Sequence, residues 1–159
     1  MTCEIADIQV PNEKFVGYKV IRNNRQPFFM GYTHKRKNLP PSAKRYVPHL
    51  NYHAVTKDGK RITTINPSHG RVFEGIHVFL HREDAMNVMG RSHGRHYRTM
   101  LIEVVCDPQH LIGAGHFTAY PPKKLEVAVF TQVRVKSGFI SFIQQQLECW
   151  WKGRKHEEF

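Results

Sequence analysis

Hydrophobic and polar positions along this chain predict strands more often than helices. Residues 14–22, Lys-Phe-Val-Gly-Tyr-Lys-Val-Ile-Arg, read as a first strand, with β-type side chains at Phe15, Tyr18, Val20 and Ile21. Asn23 to Pro27 predicts a turn, and Phe28-Phe29-Met30 a short second strand. Residues 33–51 read as irregular, because Pro40, Pro41 and Pro48 remove backbone donors. Tyr52 to Val55 and Arg61 to Ile65 flank Lys57-Asp58-Gly59-Lys60, and Asp-Gly between β-prone runs predicts a hairpin.

Val72-Phe73 and Ile76 to Leu80 predict one strand, interrupted at Gly75 by a bulge. A helix is expected from Arg82 to Met89. Glu83 and Asp84 suit its first turn, Ala85, Val88 and Met89 give an apolar face, and Gly90 is placed to end it. Met100 to Cys106 is almost continuously apolar, the pattern of a strand covered on both faces. After the turn at Asp107-Pro108, Leu125 to Val135 predicts a long final strand. Phe139, Ile140, Phe142, Ile143, Leu147 and Trp150 then recur at helical spacing.

These elements predict an α+β fold: a mixed, largely antiparallel sheet, one short central helix and a C-terminal amphipathic helix. At 159 residues the chain is expected to form a single globular domain over 1–152. Within it, 14–73 is a basic, loop-rich half, 74–137 a sheet-and-helix half and 138–152 the terminal helix, with 153–159 a flexible tail. Cys3, Cys106 and Cys149 are odd in number and lack zinc-ligand spacing, which fits a reducing, cytoplasmic compartment. The N-terminus has no signal-peptide pattern and no window is apolar enough to span a membrane, so no membrane partner is expected.

Charge changes the picture. The net charge is +11, yet thirteen Lys/Arg residues and a single acid, Asp58, fall between Lys14 and Phe73. The rest of the chain is near neutral. A regional excess points to a polyanionic partner, either nucleic acid or an acidic protein surface. Candidate contacts are Lys35, Arg36, Lys37, Lys44, Arg45, Lys57, Lys60 and Arg61, with Tyr32 and Tyr46 placed to stack on bases. On the terminal helix, Phe139, Phe142, Trp150 and Trp151 are candidates for a partner surface, since adjacent tryptophans are costly to leave wet.

Eleven histidines form no defined metal motif, so no metal is expected. Nucleophile-elbow, phosphate-loop and dinucleotide fingerprints are absent, and Gly113-Ala114-Gly115 lacks a third glycine at the required offset. The runs Gly75 to Leu80, Met89-Gly90-Arg91-Ser92-His93-Gly94 and Leu101 to Val104 resemble the C-terminal lobe of the RNA 2′-phosphotransferase family, whose fold is ADP-ribosyltransferase-like. Leu50 to Val55 is similar to that family's Leu-Tyr-His-Gly-Thr strand. Phe79 stands where the family has a second histidine in its His-Val-His-Leu strand. The resemblance implies NAD as cofactor, His53 as a nicotinamide-ribose contact, His77 in the catalytic set, and Arg91 and His93 as phosphate ligands. A second resemblance, through Gly17-Tyr18-Lys19-Val20 and Gly75 to Phe79, is to small bacteriophage proteins, which implies a viral protein at work in the host cytoplasm.

Three functions follow. The leading one is a small basic binding protein, phage-encoded on the second resemblance, that engages nucleic acid or the acidic nucleic-acid-binding groove of a host protein and needs no cofactor. The second is an NAD-using transferase. The third is an interaction module acting through the C-terminal helix. The residues weigh against an enzyme and leave DNA, RNA and protein partners, and the oligomeric state, open.

Overall fold

A computed structural model describes residues 3–22, 45–55, 60–63, 69–72, 74–90, 99–119, 123–136 and 140–141, with backbone only at 89–90, 118–119, 123 and 140–141. Ten strands form one sheet: β1 (Cys3–Ile5), β2 (Phe15–Arg22), β3 (Asn51–His53), β4 (Arg71–Val72), β5 (Ile76–Phe79), β6 (Thr99–Cys106), β7 (Leu111–Ala119), β8 (Lys123–Phe130), β9 (Gln132–Val135) and β10 (Ile140–Ser141). Their order is β3-β9-β6-β2-β5-β8-β7-β1-β4, with β10 beside β6. Every pairing is antiparallel. The helix α1 (Arg82–Gly90) is the one α-helix among the described residues.

This corrects the expected α+β fold. The sheet is antiparallel throughout rather than mixed, and it dominates. The expected C-terminal helix is corrected too: Ile140 and Ser141 lie in a strand opposite Leu101 and Met100. The reason is local to β6. Strand β9 covers it only at Val104 and Val105, so its earlier residues still need backbone partners on that side. That demand outweighs helical periodicity at 140–141. Residues 142–159, with the expected partner positions Phe142, Trp150 and Trp151, lie outside the described residues, as does Phe139.

Two further expectations change. The single strand predicted over 72–80 is two strands in different places. Gly75, at φ 108°, turns the chain from β4 at the sheet's edge to β5 near its middle. The long strand predicted over 125–135 is broken at Thr131 into β8 and β9. These lie on opposite sides of the β5-β2-β6 trio although one residue separates them. A chain can make that passage only if the sheet curls until its two sides meet. Thr131 is held at the corner, its N–H donating to His110 O at 3.0 Å and its carbonyl accepting from Ala54 N at 2.9 Å.

The curl encloses an inner core that includes Ile21, Ile76, Val78, Ile102, Val104, Phe130, Val133 and Val135. Tyr46, Ala54 and Ile62 close it from the 45–63 region. On the other face Val20, Phe79, Leu101, Leu125, Val127 and Val129 form a second core that takes in Ala85 and Val88 of α1. Strands β2, β6 and β8 send alternate side chains to the two cores, which explains why β6 reads as a continuous apolar run. No helix among the described residues is long and apolar enough to cross a membrane.

Candidate polyanion-binding face

Strand β3 pairs with β9 in the register Asn51↔Arg134, Tyr52↔Val133, His53↔Gln132. Side chains alternate across a strand, so Tyr52 and Val133 turn to the inner core while Asn51, His53, Gln132 and Arg134 share the opposite face. Beyond β9, Lys136 continues the same row. Its N–H donates to Glu103 O at 3.0 Å, and its ammonium meets the Glu103 carboxylate at 3.4 Å.

More positive charge gathers beside this pair of strands. The Val55↔Arg61 bridge and the bond from Ile62 N to Ala54 O seat residues 60–63 against the end of β3, with Lys60 and Arg61 exposed. Arg45 is exposed because its neighbour Tyr46 is anchored, 1 % exposed and stacked on Tyr52 at 3.8 Å. His49, exposed in a left-handed turn (φ 68°), links Tyr46 to β3.

The described stretches 45–55, 60–63 and 132–136 hold five Lys/Arg residues and no Asp or Glu. Among the described residues, no carboxylate pairs with Arg45, Arg61 or Arg134. Toward the other end of the sheet order the balance reverses: Glu4, Asp7 and Glu74 lie near β1 and β4, and Arg71 is bound to Glu4 at 3.2 Å. On the β3–β9 side positive charge is thus in excess: Lys136 is paired with Glu103, while Arg45, Arg61 and Arg134 have no carboxylate partner among the described residues.

Of the basic residues expected from sequence, Arg45, Lys60 and Arg61 come together here. Lys35, Arg36, Lys37, Lys44 and Lys57 lie outside the described residues, as does Tyr32. Tyr46 corrects an expectation: its ring is buried in the inner core rather than offered to bases. Arg134, Gln132 and Asn51 were not expected. The signal for the first two was present in Gln132-Val133-Arg134-Val135-Lys136, a strict polar–apolar alternation, but only the register shows what they face.

Of the residues implied by the transferase resemblance, two lie among the described residues. His53 lies on β3 and His77 on β5, strands that are not neighbours, and Arg91 and His93 lie outside the described residues. His77 is 4 % exposed. Its Nε2 is 3.1 Å from Val72 O and its Nδ1 3.3 Å from Gly75 O. A neutral imidazole has one N–H, so it donates to one of these carbonyls at a time. Burial first, and then the Lys19 ammonium, push His77 down to about 4. Burial likewise pushes Lys19 down to about 8. Among the described residues, no group of three or more His, Cys, Asp or Glu side chains could hold a metal ion.

No family model matches the chain, and no curated protein or solved structure matches it.

Proposed function

We propose that this protein binds a polyanionic partner, nucleic acid or the acidic nucleic-acid-binding groove of another protein, through its basic half. The observation that carries this reading is the concentration of charge. Thirteen Lys/Arg against one acid between Lys14 and Phe73 is a property of the chain. The gathering of Arg45, Lys60 and Arg61 with Arg134 and Lys136 beside β3 and β9 supports it in space. A cluster with a net positive charge raises the local concentration of an anionic ligand and speeds its arrival.

The test is fluorescence anisotropy with labelled DNA and RNA oligonucleotides over a salt series. Binding should weaken steeply between about 50 and 200 mM salt, with log K linear in log salt. Tight binding that ignores salt would remove the electrostatic argument. Absence of binding at low salt to both oligonucleotides and an acidic protein would remove the reading altogether.

A further inference from the structure

We infer that the face shared by β3 and β9 takes the sugar–phosphate backbone of duplex nucleic acid, with Arg134 as a phosphate ligand; this rests on the polyanion reading above. Gln132 and Arg134 on β9, and Lys136 one residue past its end, take every second position on one face. Their Cα atoms therefore recur at ~6.7 Å along a nearly straight line. Asn51 stands directly across from Arg134 on β3. A linear row of donors at that interval suits a ligand whose charges also recur along a line. Arg, Lys, Asn and Gln are among the side chains that contact phosphates and fix a protein's register on a duplex.

Lys136 is held by Glu103, but that pair is open to water, with side chains 49 % and 34 % exposed. Such a pair contributes little, so a phosphate can take the ammonium over.

Two observations separate a duplex from the other polyanions. Unpaired bases are captured by stacking on aromatic rings. The tyrosines of this region, Tyr46 and Tyr52, are stacked on each other against the inner core. The row on the outward face instead carries amide, guanidinium and ammonium groups, which meet a duplex's outermost atoms. An acidic protein partner would call for apolar anchors at the centre of the patch. The exposed aliphatic side chains nearby, Val47 and Leu50, sit in the loop that leads into β3 rather than within the row.

The experiment compares the full-length protein with Arg134→Gln and Lys124→Gln, using two duplexes of unrelated sequence, a single strand and an acidic polypeptide across a salt series. Arg134 is exposed, so its substitution leaves the core intact, and a thermal melt checks this. Lys124, exposed on β8 and outside both the basic half and the β3–β9 face, is the control. The expected result is that Arg134→Gln weakens both duplexes equally, several-fold, and lowers the salt slope by about 1, while Lys124→Gln changes neither. Duplex binding that is unchanged in Arg134→Gln overturns this inference and leaves the polyanion reading standing on other basic residues. Tighter binding of the single strand, or of the acidic polypeptide alone, overturns the duplex assignment. Salt-independent binding of every ligand, or none at all, overturns the polyanion reading itself.

Discussion

The ammonium of Lys19 donates to the backbone carbonyl of His77 at 3.0 Å, so two basic side chains are drawn into one part of the sheet. Lys19 on β2 reaches the strand that carries His77, and His77 in turn lies against the Val72 and Gly75 carbonyls at the corner between β4 and β5. Burial pushes both toward the uncharged form: it keeps His77 neutral at pH 7, while Lys19, lowered to about 8, still carries its charge there. Each therefore links folding to pH.

For His77 the folded value is about 4 against 6.5 when unperturbed. Between those values the unfolded chain binds the proton and the folded one does not. Stability is thus fully present above pH 6.5 and is lost as the pH falls toward 4, by about 3 kcal/mol for this group. Urea melts from pH 7 to pH 4.5 should show this decline. His77→Gln should be less stable at pH 7 and flatter with pH. An equally steep decline in that variant would assign the effect to other groups.

Lys19 acts on the alkaline side. Its folded value is about 8 against 10.5 unperturbed, so the unfolded chain holds the proton between them and stability rises with pH over that window. Lys19→Met removes the half-buried charge beside His77. The His77 ring, followed by NMR, should then titrate above its original midpoint of about 4, because one of the causes that depress it is gone. A midpoint that stays put would show that the two groups do not sense each other.

Three glycine positions should respond differently to one added methyl. At Gly115 a Cβ would run into the backbone carbonyl of Glu4 on β1, and backbone cannot rotate away. At Gly17 it would overlap Cγ1 of Val78 and sit 3.1 Å from Sγ of Cys106, both side-chain atoms. At Gly113 the nearest atom is Val72 Cγ2 at 3.6 Å, an ordinary contact. Gly115→Ala and Gly17→Ala should each cost about 1–3 kcal/mol, with Gly115→Ala the more costly. Gly113→Ala should stay within about 0.5 kcal/mol of the parent. Chemical denaturation of the three variants orders them.

Tyr46 and Tyr52 stack at an interplanar angle of 11°, and their hydroxyls are hydrogen-bonded. Burial pushes Tyr46 well up, and Tyr52 up to about 12. Ultraviolet titration should show both phenols silent at pH 10 while the fold holds. Tyr46→Phe should cost about 1 kcal/mol by removing one hydrogen bond. Tyr46→Ala should cost about 3–5 kcal/mol by opening a cavity in the inner core.

Local elements were legible where one face or both faces of a strand met a core. The alternation from Phe15 to Arg22 and the apolar run from Met100 to Cys106 read directly as β2 and β6, and the acids at Glu83 and Asp84 marked the start of α1. Strand β7 was missed because Gly113 and Gly115 dilute its β-type side chains, and Gly115 is there for the close passage of β1. The breaks at Gly75 and Thr131 were read as continuity, since a turn into a different part of a sheet leaves the same local pattern as a bulge or an unbroken strand. The basic side of the molecule was visible in the charge count. Arg134 was not, because its place opposite Asn51 depends on a pairing between segments far apart in the chain.

Thr131 joins the strand that carries Arg134 to the strand that carries Phe130 with no slack between them. A load applied to the outer face at Arg134 therefore runs along one covalent strand into the centre of the inner core, and the proposed ligand, seated there, should stiffen the molecule from within. Amide exchange at Val129 and Phe130 should slow when the basic face is occupied, so the core itself becomes the reporter of binding.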